Sequence, residues 1–132
     1  MRQDACAAND IGVLIIRPLA SGVLATDVQH ERMTAPQYVD GYTRDDWHEN
    51  EVRKAKACFD ALSTGDEPRA GTAVRWALGH EAVSGVLVGL ADLEQLDVAL
   101  AAGKAGALGA ENIAALEPVH QSLFGRRDGP KL

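Results

Sequence analysis

The chain has 132 residues, of which 46% are hydrophobic and 24% charged, the make-up of a soluble globular protein of one domain at most. Its net charge is −6, and the one basic cluster, Arg126–Arg127, is diluted by Asp128. A nucleic-acid partner is therefore excluded as an expectation, because affinity for a polyanion needs clustered Lys and Arg. Cys6 and Cys58 match no metal-ligand spacing and read as reduced thiols. No basic start leads into an apolar run, and no stretch approaches the roughly 18 apolar residues of a membrane span. The expected setting is cytoplasmic, with no membrane and no metal.

Residues 2 to 8 read as the end of a helix, followed by a turn at Asn9-Asp10. Gly12 to Ile16 (Gly-Val-Leu-Ile-Ile) is apolar without alternation, the pattern of a strand buried on both faces of a parallel sheet. Arg17-Pro18 stops it. Residues 18 to 45 form a long polar loop, and loops of that length in compact domains usually carry function. A helix is predicted over 46–64, with Val52, Ala55, Cys58, Phe59 and Leu62 on one face and Gly65 as its left-handed cap. A second, over 69–79, follows Pro68, with Ala70, Ala73, Val74, Ala77 and Leu78 at helical spacing. Val83–Val88 is the second strand. Asp92 and Gln95 form a capping-box pattern that opens a helix over 92–103. Gly103, Gly106 and Gly109 punctuate a loop, and a last helix over 110–124 is expected to bend or break at Pro118. Strands alternating with helices indicate parallel βα units. Two strands are too few for a self-contained sheet.

Most chemical signals are weak. No strand is followed by Gly-x-Gly-x-x-Gly, and Gly103-Lys104 is followed by Ala rather than Ser or Thr, so neither a Rossmann fingerprint nor a P-loop is present. Asp45, Asp46, His48 and Glu49 suit the positive end of a helix dipole better than a metal. His30, His80 and His120 are isolated in sequence. One turn has chemical content: Val88-Gly89-Leu90-Ala91-Asp92-Leu93-Glu94-Gln95 takes a strand into a helix N-terminus, where unpaired backbone N–H groups can hold a phosphate. Every βα unit has such a turn, so taken alone it is also an ordinary capped connection.

Three segments together carry a family likeness. Ile11-Gly12-Val13-Leu14-Ile15-Ile16-Arg17-Pro18-Leu19-Ala20-Ser21-Gly22-Val23-Leu24 resembles the seventh-strand segment of aldo/keto reductases, in which an apolar strand enters a Pro-Leu-x-x-Gly-x-Leu loop. Ala73-Val74-Arg75-Trp76-Ala77-Leu78-Gly79-His80, then Val83 to Gly89 and Leu93-Glu94-Gln95-Leu96, resembles that family's last helix–strand–helix unit. Gly106 to Ile113 is similar to the start of its C-terminal helix. The resemblance implies an α/β fold, a partial (β/α)8 TIM barrel made of C-terminal βα units plus an extra C-terminal helix. It would span residues 1–125, with 126–132 a polar tail.

The likeness further implies an NAD(P)-dependent oxidoreductase that reduces carbonyls or oxidises alcohols or sugars. Arg17, Leu19 and Ser21 match the loop along the nicotinamide and pyrophosphate. Gly89, Leu90, Ala91 and Gln95 match the turn that meets the adenosine phosphate. The cofactor is NADP or NAD. Ile16 stands where the family commonly has an aromatic residue. Positions 89 to 96 hold Asp92 and Glu94 but no Lys or Arg, and Ala99 replaces an Asn or Glu contact. The family's catalytic Asp, Tyr, Lys and His come from the first half of the barrel, which nothing here matches. No catalytic role is carried onto Tyr38 or Tyr42. The expectation is thus the C-terminal portion of such an enzyme, inactive alone, partnered by an N-terminal barrel half or by itself. The alternative is a non-catalytic α/β interaction module that self-associates through open barrel edges.

Overall fold

The protein is described from a computed structural model, in which residues 2–25 and 44–125 are placed, with side chains from 3 and from 49 onwards in the two segments. In chain order the elements are α1 (Arg2–Ala8), β1 (Val13–Ile16), a 3-10 turn (Ala20–Gly22), α2 (Arg44–Asp60), α3 (Arg69–Ala77), β2 (Val83–Leu87), α4 (Leu93–Ala105) and α5 (Ala110–Phe124). The two strands pair in parallel, with Leu14 opposite Gly85, Ile15 opposite Val86 and Ile16 opposite Leu87. The register slips between Val13, opposite Val83, and Leu14, so Ser84 is an extra residue on β2. Gly12 sits against that bulge, where a Cβ would run into the Ser84 hydroxyl.

Parallel strands need a crossover, and α2 and α3 lie within it. α3 packs on α4 and touches β2, while α2 packs against α5. The buried apolar residues are small: Ala55, Ala73, Val74, Ala82, Ala102 and Leu108, with Val23 from the loop after β1. Such a core forms by close helix approach rather than by large side chains. Two polar ties hold it. The Thr72 hydroxyl, 1% exposed, donates to Glu67 Oε2 at 2.9 Å. Asn112 Oδ1 accepts the Ser63 backbone N–H at 2.9 Å, joining the end of the α2 segment to α5.

Arg75 binds two other segments at once. Its Nη1 donates to both Glu67 carboxylate oxygens at 3.1 and 3.2 Å, its Nε to the Gly106 carbonyl at 3.0 Å, and its Nη2 to the Ala107 carbonyl at 3.2 Å. The approach to α3 is thereby locked to the α4–α5 connection. At the other end of the sheet, His80 Nδ1 accepts the Ala82 N–H at 3.1 Å. Nε2 must then carry the proton, which it shares with Asp4 Oδ1 at 3.0 Å, tying α1 to the start of β2.

Several expectations are corrected. β1 is not covered on both faces: Leu14 and Ile16 are 61% and 68% exposed, and Leu87 beside them 54%. Val13, Ile15 and Val86 on the opposite face are half-buried. The apolar pattern was right for a strand, but burial depends on what lies above it, which the local sequence does not contain. α2, predicted over 46–64, ends at Asp60. Gly65 does have a left-handed φ of +60°, but it lies in the following turn and not at the helix cap. Gly103 falls inside α4, and the left-handed Gly106 ends that helix instead. Pro118 does not break α5, which runs unbroken through it. The tail 126–132, both Tyr residues and most of the long loop lie outside the described residues. No helix among the described residues is long and apolar enough to cross a membrane.

Candidate functional site

The ends of β1 and β2 open into one cleft of about 780 Å³, within the range of roughly 300–1,000 Å³ usual for small-molecule sites. Ile16, Arg17, Leu19, Ser21 and Gly22 form one wall, and Leu87, Gly89, Leu90, Asp92, Glu94 and Gln95 the other. Six of the seven residues singled out from sequence therefore meet: Arg17, Leu19 and Ser21 across from Gly89, Leu90 and Gln95. Ala91 is the exception. It does not line the cleft, and its N–H is taken by Gln95 Oε1 at 2.9 Å.

The first wall is a strained loop. Arg17, Ala20 and Ser21 all have positive φ (54°, 46° and 63°). Left-handed backbone costs a non-glycine residue about 1–2 kcal/mol, and strain of this kind clusters at ligand sites. The loop is held by Gly22 N–H to the Leu19 carbonyl (2.8 Å), Leu24 N–H to the same carbonyl (3.2 Å) and the buried Val23. Gly22, at φ 97°, occupies a conformation that suits glycine alone.

The second wall is a capping box closed on itself. Asp92 Oδ1 accepts the Gln95 backbone N–H at 2.8 Å, and Gln95 Nε2 donates to Asp92 Oδ2 at 3.0 Å. With Oε1 on Ala91, both ends of the Gln95 amide are occupied. In this structure the Gln95 amide shapes the turn. Leu93 and Glu94 N–H point from the first turn of α4 with no bonding partner among the described residues.

Sequence reasoning missed the floor, which Pro68 and Val74 of the α3 segment and Val98 of α4 supply. The signal was topological. A helix that connects two parallel strands runs back along the sheet, so the start of α3 lies at the end of β2. Among the described residues, Arg17 is the one cation lining the cleft, Asp92 and Glu94 are its carboxylates, and no Tyr, Lys or His lines it. No group of three His, Cys, Asp or Glu among the described residues could hold a metal.

The comparisons agree with this architecture. A search of curated proteins gives no match. Among solved structures, the holo form of an aldo-keto reductase, AKR11C1, from Bacillus halodurans is similar, with a TM-score of 0.59 and 22% identity over 89% of this chain. The chain covers 36% of that structure's length. At this identity the likeness speaks for the fold, an α/β arrangement similar to an aldo-keto reductase. The aldo/keto reductase family profile matches residues 3–121, nearly the whole chain, and so the chain belongs to the aldo/keto reductase family.

Proposed function

We propose that the chain forms the C-terminal, cofactor-binding part of an NAD(P)-dependent oxidoreductase that reduces a carbonyl or oxidises an alcohol or sugar. The observation that supports this most is the convergence of Arg17, Leu19 and Ser21 with Gly89 and Leu90 on one cleft at the strand ends. Arg17 lines the cleft and, in this reading, meets the pyrophosphate as a charge-assisted donor. Leu93 and Glu94 N–H add donors at the positive end of the α4 dipole. Ile16 and Leu19 offer apolar surface to a flat ring. When bound, the nicotinamide supplies or accepts the hydride. The proton the reaction also requires has no Tyr, Lys or His donor among the described residues of the cleft. In this reading it comes from the rest of a barrel, and this chain alone turns nothing over.

Fluorescence titration of the full chain with NADH and NADPH tests the reading. Binding that weakens tenfold or more in Arg17→Ala supports it, and the absence of binding by either nucleotide refutes it. Steady nucleotide consumption with an aldehyde by this chain alone would overturn the assignment of the proton donor.

A second reading has its own observation. Leu14, Ile16 and Leu87 form an exposed apolar patch beside strand edges that pair with no other strand among the described residues, a surface suited to association. A non-catalytic, self-associating module would give a stable homo-oligomer by light scattering and ignore NAD(P)H. The cofactor reading expects nucleotide binding whatever the oligomeric state.

A further inference from the structure

We infer that Glu67 and Arg75 are positioning residues for the cleft, holding its floor in place without touching what the cleft binds. The inference rests on the cofactor reading above and adds the residues that set the shape of that site. The floor is the seam between α3 and α4: Ala70 and Val74 come from α3, Val98 and Ala99 from α4, and Pro68 stands at the entry to α3. Neither Glu67 nor Arg75 lines the cleft. The helices approach closely at the seam, since a Cβ on Gly71 would lie 3.6 Å from Val98 Cγ1. The residues the two helices bury are small: Gly71, Thr72, Ala73 and Val74 on α3, and Ala102 on α4. Small side chains interlock shallowly, so the spacing of such a seam depends on ties made elsewhere.

Both ends of the seam are tied through one guanidinium. α3 begins after Pro68 with no side-chain cap. Glu67 takes that place: its carboxylate accepts the Thr72 hydroxyl at 2.9 Å and Arg75 Nη1 at 3.1 and 3.2 Å, which fixes the backbone beside Pro68 onto α3. Arg75, in the last turn of α3, also donates Nε to the Gly106 carbonyl at 3.0 Å, where α4 ends. The planar guanidinium meets these partners in fixed directions, which a flexible ammonium would not. The far end of α4 carries Glu94 and Gln95 to the cleft. Its 13 residues span about 20 Å, so a tilt of about 5° at the tied end moves the cleft end by roughly 1.7 Å. A displacement of about 1 Å is enough to loosen a binding site.

The test sets nucleotide binding against stability in the full chain. Dissociation constants for NADH and NADPH are measured for the parent, Arg75→Ala, Glu67→Gln and Asn112→Ala, at a temperature where urea titration shows each chain folded. Asn112 ties α5 to the α2 segment and does not line the cleft, so its loss weakens the fold elsewhere. Arg75→Ala is expected to weaken binding by about tenfold, equivalent to about 1.4 kcal/mol. Glu67→Gln should weaken it several-fold and carries the test where Arg75→Ala does not fold. Asn112→Ala should leave it unchanged. Equal weakening by Asn112→Ala would mean that binding follows stability alone. Unchanged binding in Arg75→Ala or Glu67→Gln would mean that the clasp does not set the floor. Either result overturns the inference and leaves the cofactor reading standing. A parent that binds neither nucleotide removes the cofactor reading, and hydrogen exchange of the free chain then decides the inference. Loss of the clasp should quicken exchange over residues 70–74 and 95–99 more than over 112–120, and a uniform change overturns it.

Discussion

Replacing Arg75 with Ala is expected to be the most damaging single polar change in the fold. The side chain is only 23% exposed and its partner Glu67 20%, so solvent screens the pair weakly. The change removes the bond from Nε to the Gly106 carbonyl at 3.0 Å, and the fork onto Glu67. Each bond from a charged donor contributes about 1.5 kcal/mol or more, and the contact to the exposed Ala107 carbonyl less. Glu67 would keep the Thr72 hydroxyl but lose its countercharge in a half-buried place. The sum is a loss of about 2–4 kcal/mol, which in a chain of this size lowers the melting temperature by roughly 10 °C. Urea unfolding followed by circular dichroism measures it, as a fall in midpoint at constant slope. Lys should not rescue, since it cannot reproduce the fork. A double-mutant cycle with Glu67→Ala should return a coupling of about 1–2 kcal/mol. A total loss below about 0.5 kcal/mol, or a coupling near zero, would mean that Arg75 does not join α3 to the α4–α5 connection.

Three further outcomes are expected. Gly12→Ala should cost less than about 1 kcal/mol, because the Ser84 hydroxyl that a Cβ would meet can rotate aside, and Ser84→Ala in the same chain should restore what is lost; a loss well above that, unrelieved by Ser84→Ala, would show that the contact involves more than this hydroxyl. Burial raises the pKa of the Cys58 thiol, so the neutral form is favoured by the fold. In a Cys6→Ser background its alkylation at pH 8 should be slower than in urea, the folded rate should still be climbing above pH 9, and stability should decline as pH rises through that range; equal rates at pH 8 would contradict the burial. Finally, the exposed patch of Leu14, Ile16 and Leu87 is expected to drive self-association at micromolar concentration, and Ile16→Glu with Leu87→Lys should reduce it in sedimentation; a parent chain that sediments as a monomer, or sedimentation that the two changes leave unaltered, would refute this.

Local chemistry alone was enough for the elements and their order. The unbroken apolar run Val13 to Ile16 had to be a strand, and the helical spacing from Ala70 to Leu78 had to be a helix, since both depend on neighbours a few residues away. The Asp92–Gln95 box was legible for the same reason, and the structure contains it bond for bond. What needed the tertiary structure were properties that involve distant groups. Whether Gln95 was free or occupied turned on Ala91 and Asp92 acting together on one amide. Arg75 showed only as part of a motif, because its partners lie 8, 31 and 32 residues away. Pro118 breaks helices in isolation, yet α5 runs through it, and α5 is packed along α2. The exposure of Leu14 and Ile16 depends on what stands over the sheet, and no sequence pattern within a strand records the covering of its second face. Sequence thus determines which backbone forms locally, through sterics and short-range hydrogen bonds. The folded chain decides which of those surfaces meet, and so places Arg17 opposite Glu94 across a single cleft, 77 positions apart in the chain.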